Sequence, residues 1–593
     1  MARAQERIPG VEARAGKFPG PSLIPALQAI QERVGWLPRE ELVALSRDVR
    51  RPLYEIEGLV SFYPHFRTRP PVKVEVHACH DLSCWLQGAD RRIAELRDRY
   101  DRDTDVEVTE VSCIGRCDMA PAIAVNEIPV AAAEAAAAVG AARSEAAGQQ
   151  GQSPAAKERG PEPSGGPGGA TPRGEQGKPW PNDPYAGPQE HYRALRAVLS
   201  GDQDAERVTA ALKDAGLRGM GGAGFPTGRK WELVAAQAAA PKYAICNADE
   251  SEPGTFKDRQ ILAEQPHLVL EGLLLGMAAV GAEEGWVFIR HEYGPEEAVI
   301  RREIEALRDA GLVGPDAGGS GRRLSVEVFT SPGGYILGEE SALIECMEGH
   351  RGEPRNKPPF PGVYGLWGKP TLMNSVETFA HVPVIAERSA QWWKEQGVNA
   401  SAGLKFFAVS GHVERPGVYC VPMGSTGRQL LELAGGVSGG RTVGAIQPGG
   451  ASSNFLGPEG LDVPLDFDAV ARAGSMLGSG ALVVLAEGTD LLAAATNVLR
   501  FFRDESCGKC VPCRTGSAKA HRILSEVLVS GGGPGDVDER IRQLEETMRR
   551  TSICGLGQVA LGPVVSVLGL HRGATAARPH PRPSPGEENG HGG

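Results

Sequence analysis

Residues 506–514 read SCGKCVPCR, and residues 552–557 read SICGLG. They supply Cys507, Cys510 and Cys513 in one run and, after a helical stretch, Cys554. Three cysteines at C-x2-C-x2-C do not converge comfortably on one tetrahedral ion. Each two-residue link suits a separate corner of a cubane, and a distant fourth thiolate closes the set, the ligand pattern of a [4Fe–4S] cluster. The alternative is structural zinc, whose usual spacing is two well-separated C-x2-C pairs. A four-iron cluster implies electron transfer. Around it, residues 488–571 read as a mostly helical domain, and the tail 572–593 (RGATAARPHPRPSPGEENGHGG) reads as disordered.

Towards the N terminus, residues 399–487 hold short strand-like runs between turns (LKFFAVSGHVERPGVYCVP, RQLLELAGG, AIQPGG), a small β-grasp-like unit. Residues 189–398 form the largest domain, mixed α/β with many glycine-rich turns. Before it, residues 144–188 are rich in Gly, Pro, Ser and Gln and read as a flexible linker. Residues 1–143 open with helical periodicity over 20–65 (LIPALQAIQERVGWLP, REELVALSRDV, PLYEIEGLVSFY). A strand-like run VKVEVHAC (72–79), a helix over 86–100 and a second strand VEVTEVSC (106–113) follow. This unit, hung on a linker, is expected to dock in more than one way.

It carries a second cysteine set. Cys79 and Cys84 (C-x4-C) precede Cys113 and Cys117 (C-x3-C), each pair just after a predicted strand. Two pairs on adjacent loops can bring four thiolates around a two-iron rhomb. On cysteine count alone, zinc is the alternative. Eleven cysteines, eight of them in spaced sets, suit metal clusters in a reducing cytoplasm better than disulfides. Cys246, Cys346 and Cys420 stand singly in apolar surroundings and read as small buried hydrophobes.

Composition narrows the function classes. A net charge of −11 over 593 residues argues against nucleic-acid binding. The first residues lack the apolar core of a secretory signal. No run reaches the length of a membrane span; GLLLGMAAVGA (272–282) reads as a buried helix, so no direct membrane insertion is expected.

In GLRGMGGAGFPTGRKW (216–231), Gly219, Gly221 and Gly224 match G-x-G-x-x-G. That fingerprint needs a strand before it and a helix after it. Here a helical segment, AERVTAALKDAG, precedes it, which speaks against a standard dinucleotide fold, and the G-x4-G-K-[ST] arrangement is absent. What remains is a glycine run whose backbone N–H groups can approach phosphate, with Arg229 and Lys230 adding positive charge. A tight turn without ligand is the alternative. Downstream, NADESEPGTFKDR (247–259) gathers Asn247, Asp249, Glu250 and Ser251 after the strand-like YAIC, where α/β folds bind ligands. An acidic surface turn would look the same. GGYILGEESALIE (333–345) sets Glu339 and Glu340 at a helix start, where carboxylates also serve as dipole partners. RNKPPFPG (355–362) offers Lys357 and Phe360 on a Pro-stiffened loop.

HACHDLSCWLQGA and EVSCIGRCDMAPAIAVN, behind LIPALQAIQERVGWLP and SFYPHF, resemble the thioredoxin-like [2Fe–2S] subunit of respiratory complex I over residues 20–140. The sequence departs after Asn126, where EIPVAAAEAAAA stands in place of a Gly-containing turn, so the end of that fold is expected to be trimmed or re-routed. From 190 to 570 the motifs, SCGKCVPCR included, resemble the flavoprotein subunit of complex I. Diaphorase subunits of NAD-reducing hydrogenases and NAD-dependent formate dehydrogenases are similar. The resemblance implies a multidomain α/β chain: a thioredoxin-like ferredoxin domain, an FMN-binding α/β domain, a β-grasp-like (SLBB) domain and a C-terminal helical [4Fe–4S] domain. It implies FMN held by Gly219, Gly222, Lys230, Asn247, Asp249, Glu250, Ser251, Tyr335, Gly338, Glu339 and Asn374. NAD(H) would lie over the flavin, with Phe225 and Phe360 stacking on the adenine and Glu340 and Lys357 contacting the nucleotide, Glu340 in the catalytic position. Met220 replaces a usual Arg, Ser375 replaces the second Asn of a pair, and Leu233 stands where relatives can carry an aromatic.

The function expected is an NADH dehydrogenase (diaphorase) module of a larger, complex I-like redox assembly. It passes electrons between NAD(H) and iron–sulfur clusters through FMN. Motifs for formate, hydrogen or quinone are missing, which assigns the second substrate and further clusters to partner subunits. The chain would be cytoplasmic, reaching the inner face of a membrane through those partners. Two alternatives stand beside this: the NAD-reducing subunit of a soluble formate dehydrogenase or hydrogenase, and a zinc-stabilised interaction scaffold.

Overall fold

The computed structural model describes residues 22–148, 180–531 and 537–571. The disordered tail and most of the linker expected from sequence lie outside those residues. The lead-in folds as the periodicity predicts, into helices Leu23–Val34, Arg39–Asp48 and Leu53–Val60.

Four strands follow: β1 (Val74–Cys79), β2 (Val106–Val111), β3 (Ile123–Val125) and β4 (Ile128–Val130). They form a sheet in the order β2-β1-β3-β4, with β1 parallel to β2 and antiparallel to β3. Helix Ala89–Tyr100 buries Ile93, Leu96 and Tyr100. The expected trimming after Asn126 does not occur. Asn126 (φ 48°) and Glu127 (φ 67°) take the two left-handed positions, as a two-residue type I′ hairpin turn requires. Asn126 tolerates that region, and its Oδ1 accepts a bond from Glu75 N at 2.8 Å while its own N–H donates to Glu75 O at 2.9 Å. Helix Ala135–Gly148 then runs past the expected boundary at 143.

The central domain is built on β5 (Tyr243–Ala248), β6 (Glu284–Arg290), β7 (Ser325–Ser331) and β8 (Thr371–Ser375). All pairings are parallel, in the order β7-β6-β5-β8. The chain steps from β5 to β6 to β7 in one direction, and β8 returns to the other side of β5. That reversal opens a crevice outside the carboxyl ends of β5 and β8, where open parallel sheets bind ligands. The apolar run of the sequence lies in helix Pro266–Val280, buried along nearly its whole length. Among the described residues no helix is long and apolar enough to cross a membrane.

The β-grasp-like unit pairs β9 (Leu404–Gly411), β10 (Gly417–Pro422), β11 (Val443–Gln447) and β12 (Ala481–Ala486) in the order β10-β9-β12-β11. A capping box of Thr426 and Gln429 starts its helix Gly427–Leu433. It is joined to the central domain by a buried charge knot. Glu377 accepts from Lys257 at 2.9 Å and Lys405 at 2.7 Å, all three fully buried. Lys257 also pairs with Asp258 at 2.7 Å, and Phe406 N–H donates to Glu377 at 2.9 Å. The C-terminal domain comprises helices Leu491–Asp504, Val511–Ser530, Asp538–Thr551, Gly555–Val559 and Gly562–His571.

Two expectations need correction. The N-terminal unit has one seat, made by specific partners. Arg116 grips Glu296 with two bonds of 2.9 and 3.0 Å, Arg259 reaches Asp118 at 2.7 Å, and Asn497 donates to His80 O at 2.9 Å. Recessed ion pairs and backbone bonds of this kind are satisfied only in one geometry. Residues 180–188, assigned to the linker, are packed: Asn182 is fully buried and pairs with Gln265, and Tyr185 is 4% exposed.

Tyr185 donates to Glu271 at 2.7 Å, and Leu195 N–H donates to the same carboxylate at 3.0 Å. Burial outweighs these bonds and pushes Glu271 to about 7 from an ordinary 4.5. The folded chain therefore binds more protons here than the unfolded chain between those values. The associated stability is fully present below pH 4.5 and is lost as pH rises through about 7. Glu271→Gln is expected to melt increasingly above the parent protein as pH is raised across that window, by about 1.4 kcal/mol per pKa unit. Parallel melting curves at both ends of the window would refute it.

Candidate functional site

The glycine loop lies between helices Ala205–Ala215 and Thr227–Ala235. A helix in place of the preceding strand rules out the standard dinucleotide fingerprint. The loop's neck is tied by Gly219 N–H to Phe225 O and Thr227 N–H to Leu217 O, both 2.8 Å. Gly222 (φ 121°) and Gly224 (φ 64°) hold conformations other residues rarely adopt. The loop presses on the end of β8. A Cβ on Gly221 would stand 3.0 Å from that of Ser375, and Met220 N–H donates to Thr378 Oγ1 at 2.9 Å. Ser375, where relatives carry the longer Asn, leaves room for this approach. Met220 itself is buried.

The end of β5 supplies the facing wall. Asn247 donates to Gly338 O at 3.0 Å and accepts from Asp249 N at 3.1 Å. Asp249 takes the Ser251 hydroxyl and, at 3.1 Å, that of Ser331. Burial still pushes its carboxyl to about 7, against these bonds. Asn374, on β8, is oriented by Trp231 Nε1 at 3.1 Å. Tyr335 N–H donates to Glu505 at 2.7 Å. Glu250 differs from its neighbours. Its carboxylate accepts from Asp258 N at 2.8 Å, Arg259 N at 3.0 Å and Tyr293 OH at 3.0 Å. With the side chain so engaged, its backbone is what remains for a ligand in the crevice.

A charged group forms the next part. Lys230 is anchored by Met373 O at 3.0 Å, and burial lowers its pKa against the pull of Glu340. Lys357 lies 3.0 Å from Glu340 and 2.5 Å from Glu339. Burial would raise Glu340, but Lys230 and Lys357 together hold it below its ordinary value, so it is ionised at neutral pH. Glu339 also caps helix Glu340–Met347 through Ser341 N and Ala342 N. Phe225 and Phe360 are 44% and 48% exposed, with free ring faces for stacking. The Phe360 loop rests on the helix that follows Phe225, since a Cβ on Gly362 would lie 3.2 Å from Val234.

Both cysteine sets converge. Cys79, Cys84, Cys113 and Cys117 are buried and free of disulfides. Cys113 Sγ is 3.4 Å from Cys117 Sγ, and Cys79 contacts both Cys113 and Cys84. Cys554 has Cys507 and Cys513 as near neighbours, and Cys510 bonds to Cys513. Burial pushes Cys513 to about 11 and Cys554 to about 12. Bare, these are thiols at neutral pH, and coordination to a metal is what would ionise them. The all-sulfur donor sets fit iron–sulfur clusters, and the glycine-lined crevice with its lysines fits a phosphate-bearing cofactor.

Sequence reasoning missed several side chains that join these parts. Arg290, at the end of β6, donates to Glu250 O and to Cys113 O, each at 2.6 Å, tying the two-iron loop to the crevice. Tyr293 packs where Gly115 has no side chain and bonds to Glu250. Glu505 bonds to Tyr335 and to Ser112, beside Cys113. A lone Arg closing the apolar run WVFIR was the one available signal.

Fold and donor sets together define an iron–sulfur protein with a cofactor crevice at the switch point of a parallel sheet. Family models agree domain by domain. Residues 15–140 match a thioredoxin-like [2Fe-2S] ferredoxin and 212–384 a Nuo51 FMN-binding domain. Residues 406–451 match an SLBB domain, and 493–577 the NADH-ubiquinone oxidoreductase-F iron-sulfur binding region. These name iron–sulfur, not zinc, at both cysteine sets. The F 2 subunit of NADH-quinone oxidoreductase from Rhizobium meliloti is 45% identical over 62% of this chain and 87% of its own length. The HndC subunit of an NADP-reducing hydrogenase from Solidesulfovibrio fructosivorans is 41% identical over 64% of this chain and 76% of its own. A chain of the crystal structure of an NAD+-reducing [NiFe]-hydrogenase in the H2-reduced state superposes with a TM-score of 0.80 at 31% identity. It covers 93% of this chain and 91% of its own. The chain belongs to the family of flavoprotein (F) subunits of NADH-quinone oxidoreductase.

Proposed function

We propose that the chain is an NADH:acceptor oxidoreductase, the diaphorase module of a larger redox assembly. The observation that carries this is the meeting of the glycine loop, the ends of β5 and β8 and both cysteine sets around one crevice. When bound, FMN supplies hydride acceptance at N5 and the conversion between electron pairs and single electrons. The protein's part is to bind and orient. Gly219 and Gly222 offer backbone N–H groups, and Lys230 a positive charge, to the phosphate. Asn247, Asp249, Ser251, Tyr335, Gly338, Glu339 and Asn374 line the crevice around the ring system, with Glu250 contributing its backbone. Phe225 and Phe360 stack on the adenine, while the ionised Glu340 and Lys357 orient the nicotinamide nucleotide. Cys79, Cys84, Cys113 and Cys117 hold the two-iron cluster, and Cys507, Cys510, Cys513 and Cys554 the four-iron cluster.

Further clusters and the second-substrate site belong to partner subunits, in a cytoplasmic assembly that reaches a membrane only through them. A second reading, the NAD-reducing subunit of a soluble hydrogenase-type complex, has a specific observation in its favour. The hydrogenase chain aligns with both the two-iron and the flavin portions, whereas the NADH-quinone oxidoreductase relatives align with about two thirds of the chain.

Purified alone with FMN and iron, the chain is expected to oxidise NADH with ferricyanide or viologen dyes. It is expected not to oxidise formate, take up hydrogen or reduce quinone in an inhibitor-sensitive way. Turnover of any of these three by the isolated chain would overturn the assignment of that chemistry to partners. Failure to oxidise NADH would overturn the diaphorase reading itself.

A further inference from the structure

The β-grasp-like domain touches the glycine loop at a place that neither the motifs nor the domain's own core explains. Between β11 and β12 it carries a short helix, Phe467–Arg472. The Phe467 ring lies against Gly224, where an added Cβ would stand 2.9 Å from ring carbons Cδ1 and Cε1. Over the same ring, at 4.3 Å from its centroid, sits the Arg218 guanidinium. Arg218 belongs to the loop itself. Its Nε–H donates to Gly224 O at 2.8 Å, and a second guanidinium nitrogen lies 3.6 Å from Asp468. Farther along, Gly222 comes close to Gly478, also of the β-grasp-like domain. The loop is thus held on its outer side by another domain, at the residue immediately before Phe225.

A glycine-rich loop has many conformations, and a ligand that needs one of them bears the ordering cost in lost affinity. Holding the loop before the ligand arrives removes that cost. We infer that Phe467 and Arg218 are positioning residues that fix the glycine loop, and with it the Phe225 ring, in the nucleotide-binding conformation. On this view the β-grasp-like domain is part of the NADH site without touching the nucleotide. The inference rests on the reading of the loop as a nucleotide site. It adds that affinity, and not the chemical step, depends on a side chain from a neighbouring domain. A cation over an aromatic face in a partly recessed place is a persistent contact, so the clamp is present before ligand binds.

The test uses the full chain loaded with FMN and iron, with ADP-ribose as a probe that carries the adenine half of the nucleotide and transfers no hydride. Phe467→Ala is expected to raise both the ADP-ribose Kd and the NADH KM about tenfold by releasing the loop. It should leave kcat with ferricyanide within about twofold and FMN and iron content unchanged. Phe467→Tyr, which keeps the ring, is expected to restore both constants. Arg218→Met keeps the packing and removes only the guanidinium. It is expected to shift Kd in the same direction, and it reads the clamp even where Phe467→Ala loses FMN. Unchanged Kd in these variants, or a fall in kcat with KM intact, would overturn the clamp. Absence of ADP-ribose binding by the parent protein would instead overturn the nucleotide reading on which it rests.

Discussion

Glu377→Ala is expected to lower the melting temperature by on the order of 10 °C, a loss of roughly 3–5 kcal/mol. Two ammonium groups, Lys257 and Lys405, converge on this carboxylate, and none of the three is exposed. Removing the carboxylate leaves Lys257 to Asp258 alone and Lys405 with only Ser479 O, at 3.0 Å. A buried pair gives little net stability over an apolar substitute, but breaking one side of it is costly, because the remaining charge is desolvated and unpaired. The double variant Glu377→Leu with Lys405→Met removes one charge of each sign and leaves Lys257 with Asp258, so it is expected to recover much of the loss. Phe406 N–H, which loses its acceptor, keeps the recovery incomplete. The knot joins the central and β-grasp-like domains, so early loss of FMN should accompany the lower melting temperature. A single variant that melts within a degree or two of the parent would show that water reaches the knot.

Cys554→Ala is expected to cut iron from about six to about two atoms per chain, since the four-iron cluster needs its fourth thiolate. The crevice residues lie on other elements, so FMN content is expected to hold. In rapid mixing, NADH should still bleach the flavin absorbance, while passage of electrons to a downstream acceptor slows by more than tenfold, a barrier change of at least about 1.4 kcal/mol. Iron that stays at the parent level would remove Cys554 from the ligand set. Loss of flavin bleaching in an FMN-loaded variant would reverse the proposed order of carriers.

What the sequence made legible was local. C-x2-C-x2-C, C-x4-C and C-x3-C spacings constrain thiolates through a few bonds, and the structure gathers both sets. The glycine loop could be separated from a dinucleotide fingerprint because its flanking periodicity is helical on both sides. The helical lead-in followed from apolar spacing alone. The errors came where distant residues decide. WPNDPYAGP (180–188) has linker composition, yet Asn182 and Tyr185 are buried by Gln265 and Glu271, far along the chain. The hairpin after Asn126 lacked the expected glycine, and Glu75 on a neighbouring strand supplied what the turn needed. Glu250 sits among crevice residues in sequence, but its carboxylate turns to the start of the next helix. Arg290, Glu505 and Phe467 act across domain boundaries and leave no pattern of spacing to find.

The single seat of the N-terminal unit has a consequence for synthesis. Subunits made separately must be produced in matched amounts, and an excess of either would expose surface meant for the other. Here the two halves of the interface, Arg116 and Asp118 on one side and Glu296 and Arg259 on the other, are translated in one chain. Every flavin-binding portion is therefore born with its own two-iron portion, in fixed one-to-one ratio. Without a partner from the same chain, Glu296 and Arg259 would lose recessed counter-ions, so a flavin portion lacking its two-iron companion would be marked for turnover by its own instability. Stoichiometry, elsewhere a matter of expression, is written here into the covalent chain.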